Sequence, residues 1–285
     1  NWRPISLLNS DYKILAKLLS LRIQKVLPQL ISNDQYGFLK DRYIGENIRL
    51  FIDIQIYCIT HNVKAVALSI DFEKAFDMID WEFIYYTLNI FGFDQSFIQW
   101  VKLLYCNIEG CVINNGFSSK PFEIQRGVRQ GCPLSPYLFI LGVELLGCLI
   151  RQDQNIRGLK VHDIEIKISQ YADDTTIFLE PDESNVKHCV KVLDDFKDMS
   201  GLKINIEKCN IIRLGNFKQT LCRDIPFTWP SDHFMYLGVN IPLTGSFNFY
   251  DLNFRPKLED IKSTLNVWNC RTLTLYGKIV IIKSL

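Results

Sequence analysis

The stretch ISQYADDTTIFLE, residues 168–180, sets Asp173 and Asp174 side by side between two runs that read as β-strand. Carboxylates are depleted from strands, and two adjacent ones resist joint ionisation. A chain carrying such a pair must either bend there and solvate it or hold it against a compensating cation. A solvated hairpin tip meets the first condition, because Asp favours turns. A hairpin that offers its acids to a hard divalent cation such as magnesium meets the second, and it asks for another carboxylate from elsewhere. The segment VKAVALSID is apolar and β-branched enough for a buried strand, and it ends on Asp71. Taken alone, Asp71 could equally cap the turn that begins at Phe72. Taken together, the strand-end acid and the strand-turn-strand pair point to carboxylates gathered around metal.

Composition narrows the setting. A chain of 285 residues that is 48% hydrophobic can bury one large core or two to three subdomains. Its longest apolar run, Tyr137 to Ile150, is interrupted by Glu144 and falls short of the roughly 18 residues of a membrane span. No secretory signal opens it. The nine cysteines are an odd number without a Cys-x-x-Cys pair, which argues against zinc and for reduced thiols in the nucleus or cytoplasm. The net charge of +1 conceals a pattern: residues 1–50 carry eight Lys/Arg against four Asp/Glu, and residues 251–285 six against three. Basic ends therefore flank an acidic centre, which suits a protein that grips a polyanion around a magnesium site.

Periodicity predicts a helical N-terminal region in DYKILAKLLSLRIQKVLPQLI, with Ile14, Leu15, Leu18, Leu19 and Ile23 at helical spacing. After the strand ending at Asp71 it predicts helices over Trp81 to Ile90 and Gln95 to Tyr105, then strands near Cys111 to Asn115 and Phe122 to Gln125. A helix starts after CPLSP, where Pro136 suits a first turn. A strand pair covers Gly158 to Val161 and Ile164 to Phe178, a helix runs from Ser184 to Met199 and stops at Gly201, and strands follow in LKINIEKCNIIRL and FMYLGVNIPL before a helical or mixed tail. Strands and helices interleaved without strict alternation indicate an α+β protein.

The motifs SIDFEKAFD, RGVRQGCPLSPYLF, YADD, SGLKINIEKC and YLGV stand in the order of the palm motifs of reverse transcriptases. The segments NWRPISLLNSDYKILAKLLSLRI and NDQYGFLKDRYIGENI resemble the fingers of non-LTR (LINE-type) retrotransposon reverse transcriptases. The resemblance runs through the tail WNCRTLTLYGKIVIIKSL and so covers essentially the whole chain. It implies a right-hand polymerase fold with an antiparallel palm sheet flanked by helices. Fingers would occupy residues 1–65, palm 66–242 with inserted fingers segments, and the start of the thumb 243–285.

It also implies roles for individual residues. Asp71 and Asp173 would hold two Mg2+ ions, for which Mn2+ could substitute, with Asp174 in support and the Phe72 backbone carbonyl as a further ligand. Tyr171 would pack near the primer end. Phe76 falls where the family carries a steric gate, an aromatic ring that leaves no room for a 2′-hydroxyl, whereas an RNA-making enzyme would place a polar residue there. Gln130 and Gly131 correspond to the loop beside the incoming nucleotide and template base, where glycine lets backbone approach closely. Arg3 matches the fingers arginine that clamps the triphosphate. Lys208 occupies the region that supplies a general acid to the leaving pyrophosphate. Tyr236, Leu237 and Gly238 resemble the primer grip, and Lys257, Lys262, Arg271 and Lys278 would meet phosphates nearby.

The implied partners are an RNA template, a DNA primer or nicked target DNA, dNTPs, and the rest of a parent polyprotein bearing a separate endonuclease. A decayed relic, or an RNA-binding module that keeps the fold without chemistry, is the alternative of a different class. The three aspartates, all present in an unbroken reading frame, argue for the enzyme. Either way, affinity for an RNA–DNA primer-template should fall steeply with salt, by about a thousandfold between 50 and 200 mM if some six phosphates are contacted. Filter binding across that range checks this, and a salt-independent affinity would sink the polyanion reading.

Overall fold

The computed structural model describes residues 5–217, 224–244, 248–269 and 271–284. Three helices come first: α1 (Ser10–Ile23), α2 (Leu27–Leu30) and α3 (Ile44–Thr60). The inward face of α1 is Ala16, Leu19, Ser20 and Ile23, while Ile14 and Leu18, apolar at the same spacing, stay exposed. Strand β1 (Ala65–Ile70) follows, then α4 (Ala75–Met78), α5 (Trp81–Ile90) and α6 (Gln95–Tyr105). The last two begin where predicted because an aspartate precedes each. Asp80 accepts from the Glu82 and Phe83 N–H groups, and Asp94 from that of Ser96.

Four short strands, β2 (Glu109–Gly110), β3 (Ile113–Asn114), β4 (Phe117–Ser118) and β5 (Phe122–Glu123), pair as two ladders, β2 with β5 and β3 with β4. Helix α7 (Ser135–Gln152) leads to a region where the expected strand pair is in fact four strands: β6 (Leu159–Val161), β7 (Ile164–Ile166), β8 (Ile168–Tyr171) and β9 (Asp174–Leu179). The extra break falls at Lys167, where pairing passes from the β6–β7 ladder to the β8–β9 ladder and Nζ donates to the Arg151 and Asp153 carbonyls at the end of α7, at 3.3 and 2.9 Å. Helix α8 (Glu183–Ser200) stops at Gly201, whose φ of 76° is the left-handed cap expected of it. Strand β10 (Asn210–Leu214) completes the first compact unit, Asn1–Trp229. The second unit, Pro230–Leu285, holds the hairpin β11 (His233–Tyr236) and β12 (Val239–Pro242), followed by α9 (Phe249–Asn269) and α10 (Leu275–Ser284). There Asn253 of α9 bonds both the N–H and the carbonyl of Asn240, each at 2.8 Å.

The first unit is organised by an antiparallel sheet in the order β10-β1-β9-β8. Strand β1 is buried almost throughout, so its sequence reads as a continuous apolar run rather than an alternation. Val66, Leu68 and Ile70 enter the main core with Phe83, Ile84, Phe139 and Phe196. Ala67 alternates with them and is flanked in register by Phe178 of β9 and Ile212 of β10. Phe178 meets Phe51 of α3 at 6.0 Å between ring centroids, so a small residue sits between large neighbours. Among the described residues no helix is long and apolar enough to cross a membrane.

A polar cluster joins α7 to the loop after α2. Arg151 forks onto Asp34 at 2.8 and 2.9 Å and also pairs with Glu144, which is 1% exposed. Burial pushes the Glu144 carboxyl above its ordinary value even though Arg151 opposes the shift, because that guanidinium is shared with Asp34. The folded state therefore keeps a proton that the unfolded chain releases, and stability should fall as pH rises from about 4.5 through the raised value. Arg151→Met should cost about 3 kcal/mol by leaving two acids without their cation. Glu144→Gln should flatten the pH slope and recover part of that loss in the double variant, as urea unfolding between pH 4 and 7 would show.

Candidate active site

Antiparallel pairing of β1 with β9 puts the C-terminal end of one beside the N-terminal end of the other. The register ends at Ile70 opposite Thr175. Asp71 therefore stands one step past the last pair, at the same end of the sheet as the β8–β9 tip that carries Ala172, Asp173 and Asp174. The separation of about a hundred residues in sequence is closed by one ladder.

Asp71 caps no helix: the short α4 starts from Lys74. Instead the chain after α8 straps across it. Gly201 seats against residues 78–80, where an added Cβ would come within 2.8 Å of the Met78 carbonyl. The segment then runs antiparallel to 71–73, with Glu73 N–H donating to the Lys203 carbonyl and Asn205 N–H to that of Asp71, both at 2.8 Å. Phe72 and Ile204 form the bridge between these bonds, so the Phe72 carbonyl faces away from the strap. A tight turn at Asn205 brings Lys208 Nζ to 3.4 Å from Asp71 Oδ2. Cys209 anchors the far side, its sulfur 3.5 Å from the Asp71 nitrogen, and burial pushes that thiol up to about 11. The result is an open pocket of about 640 Å3 whose lining includes Asp71, Phe72, Lys74, Ile204 and Lys208. Asp71 Oδ2 is buried there without a hydrogen-bond partner; Lys208 is near enough for an ion pair but not aligned to donate.

At the hairpin, Tyr171 pairs with Asp174 and the two residues between them make the turn. Asp173 is half-buried and Asp174 exposed. Ala172 takes a φ of 55°, a conformation an L-residue with a Cβ rarely holds. Behind the hairpin, residues 34–37 run alongside β8, with Tyr36 N–H donating to the Gln170 carbonyl at 2.8 Å and Gln170 N–H to that of Asp34 at 2.7 Å. This brace comes from NDQYGFLKDRYIGENI, in which sequence reasoning assigned no residue a role.

Phe76 on α4 stacks on Phe139 at 4.4 Å and meets Phe38 edge-on at 6.0 Å, and it is only partly buried. The RGVRQG segment is stitched along α4: Val128 N–H donates to the Phe76 carbonyl and Gly127 N–H to that of Ile79. Gln130 reaches Asp77 Oδ1 at 3.5 Å, and its carbonyl accepts from Ser6 N–H at 2.8 Å. Gly131, with φ 105°, opens on a separate shallow depression lined by Lys13, Ile14, Lys17 and Leu18, and a Cβ there would lie 3.0 Å from the Ser6 carbonyl. Arg3 lies outside the described residues. In the second unit, Leu237 and Gly238 both have positive φ, 49° and 79°, and make the two-residue turn of the β11–β12 hairpin, with Tyr236 buried before it.

Among the described residues no three Asp, Glu, His or Cys side chains converge into a ready-made cage for a metal ion. Magnesium rarely uses one. It is held by one or two carboxylates and completes its shell with water and substrate phosphate. A buried carboxylate oxygen without a donor, a backbone carbonyl turned outward and two acids on the adjacent hairpin fit a cation of that kind.

Comparison with known proteins identifies the family. Residues 1–241 match the family model described as "Reverse transcriptase (RNA-dependent DNA polymerase)". The chain is 33% identical to the transposon TX1 uncharacterized 149 kDa protein of Xenopus laevis over its full length, and 28% identical over 86% of its length to the retrovirus-related Pol polyprotein from the type-2 retrotransposable element R2DM of Drosophila melanogaster. It spans 22% and 24% of those two proteins. Telomerase from Candida albicans, solved with a fragment of telomeric RNA, shares the fold at a TM-score of 0.54 with 13% identity, over 85% of this chain and 39% of that one. With its palm motifs in order on an antiparallel sheet flanked by helices, the chain belongs to the reverse transcriptase (RNA-dependent DNA polymerase) family.

Proposed function

We propose that the chain is the reverse transcriptase domain of a non-LTR retrotransposon polyprotein, and that it copies RNA into DNA by transferring nucleotides from dNTPs to a primer 3′-hydroxyl. The observation that carries this reading is the placement of Asp71 and the Asp173–Asp174 hairpin at the same end of a buried sheet. Asp71, Asp173, Asp174 and the Phe72 carbonyl would hold two Mg2+ ions, or Mn2+ in their place. Bound there, the ions lower the charge barrier between attacking and leaving oxygens.

The protein's own groups do the rest. Lys208 neutralises Asp71 until substrate arrives and then protonates the departing pyrophosphate. Gln130 and Gly131 border the incoming nucleotide, Arg3 clamps its triphosphate, Tyr171 packs near the primer end, and Phe76 closes the space beneath the sugar; the Tyr236–Gly238 turn is the primer grip. Fingers, palm and early thumb correspond to residues 1–65, 66–242 and 243–285. The template is RNA and the primer is DNA, such as a nicked target. A separate endonuclease in the parent polyprotein would make that nick, in the nucleus or the cytoplasm.

Primer extension tests the proposal. Asp71→Asn or Asp173→Asn should lower the rate at least about a thousandfold, equivalent to about 4 kcal/mol, while the thermal midpoint and RNA affinity stay near those of the parent. Loss of fold in both variants would favour a structural role for the acids. For Phe76, the gate reading expects Phe76→Val to raise ribonucleotide over deoxyribonucleotide incorporation at least about tenfold. Because the ring also stacks on Phe139, about 1 to 4 kcal/mol of stability should be lost as well. Single-nucleotide kinetics with paired substrates decide, and an unchanged ratio in folded protein would leave Phe76 as core alone.

A further inference from the structure

Gln35 is fully buried, and its side chain spans the gap between the fingers segment and the hairpin tip. Its Oε1 accepts from two backbone donors, the Ala172 N–H at 2.9 Å and the Gly37 N–H at 2.8 Å. Two donors on one side demand the oxygen there, which fixes the amide orientation and turns Nε2 to the Ala172 carbonyl at 3.4 Å. One side chain thus grips both polar groups of the residue that immediately precedes Asp173. Ala172 is also the hairpin residue with positive φ, at 55°. Gly37 closes the grip from the other side: a Cβ there would come within 2.4 Å of the Ala172 nitrogen, so backbone lies directly on backbone. Asn47, likewise buried, extends the brace one step further by donating to the Ser169 hydroxyl and the Gln170 carbonyl at 2.9 and 3.1 Å.

We infer that Gln35 is a positioning residue for the polymerase site, holding Ala172 in its left-handed conformation and thereby fixing the direction in which Asp173 leaves the turn. A peptide free to relax toward negative φ would change the direction in which the following Cα–Cβ bond leaves the turn. The amide of Gln35 supplies what such a strained turn lacks, a short directed bond to the Ala172 N–H and a longer one to its carbonyl, both in a buried setting that strengthens them. Glutamine suits the task for a simple reason: it is the uncharged side chain with an acceptor and a donor on one planar group and enough length to cross from one segment to the other. Gly37 is required on the same account, since the backbones could not otherwise close to bonding distance. The inference rests on the proposed role of Asp173 as a metal-holding acid.

The test uses the full chain with poly(rA)·oligo(dT) and dTTP, together with amide hydrogen exchange read at the turn. In the parent, the Ala172 N–H should exchange at least about a hundredfold more slowly than an unprotected amide. An unprotected rate there would overturn the proposal without any variant. In Gln35→Leu, exchange at Ala172 should accelerate at least tenfold, the extension rate at saturating primer-template should fall at least tenfold, and the Mg2+ concentration for half-maximal rate should rise, with primer-template affinity within about twofold. Gly37→Ala, which pushes on the same peptide, should do likewise.

The decisive arm is Ala172→Gly, because glycine reaches positive φ unaided. In that background Gln35→Leu should lose at most about threefold in rate. A loss as large as in the Ala172 background would show that Gln35 supports the fold generally and does not hold this conformation. Asp173→Asn judges the underlying reading separately. If that variant keeps parental activity, the metal role fails while exchange at Ala172 still judges the grip. If it is inactive and Gln35→Leu matches the parent in rate and exchange, the grip alone fails.

Discussion

The antiparallel ladder between β1 and β9 is the constraint on which the site depends. An antiparallel ladder sets the C-terminal end of each strand beside the N-terminal end of its partner, so the end of β1 and the start of β9 lie at the same end of the sheet. A one-residue slip would turn every core side chain of β1 to the wrong face, and the packing of Val66, Leu68 and Ile70 forbids it. Apolar burial thus sets the position of a carboxylate that contributes nothing to that burial. The strap at 201–209 and the brace at 34–37 then adjust the two acid-bearing ends from outside the sheet.

Asp71 and the hairpin acids stand at one end of the sheet, with Lys208 beside Asp71, while the part-buried cluster of Arg151, Asp34 and Glu144 lies at the foot of the brace. Keeping that cluster closed matters because Asp34, which Arg151 holds, is also the residue whose carbonyl starts the backbone bonds to β8. An ion pair and a hydrogen-bonded ladder therefore meet in a single residue.

Much of this was legible in the sequence, for physical reasons that can be named. Helices α5, α6 and α8 were readable because Asp80, Asp94 and Asp182 each accept a first-turn N–H and Gly201 ends the last of them. The end of β1 at Asp71 was readable because a charge cannot continue a doubly buried strand. The splitting of 164–178 was not, since it falls where pairing passes from one ladder to another at Lys167, whose contacts on α7 lie far from it along the chain. For the same reason 202–208 passed as a strand when a single bridge at Ile204 is all that pairs there. In the site, the acids announced themselves by type and place. Gln35 did not, because a buried glutamine has no local signature and its partner lies 137 residues away.

Strand β1 is an inner strand of its sheet, and both of its neighbours come from much later in the chain, β9 from residue 174 and β10 from residue 210. A ribosome that has released residues 65–70 must make more than a hundred further residues before either edge can be covered. Throughout that interval a β-branched, nearly uncharged segment has two open edges, the form in which strands pair with the wrong partner. The helices made in the meantime, α5 to α7, contribute to the same apolar core as Val66, Leu68 and Ile70 and can shelter one side of the strand, but not its edges. Birth of this protein on the ribosome is therefore the stage at which it is most exposed to aggregation. The central position that gives Asp71 its fixed place in the finished molecule also makes its strand the last to be completed.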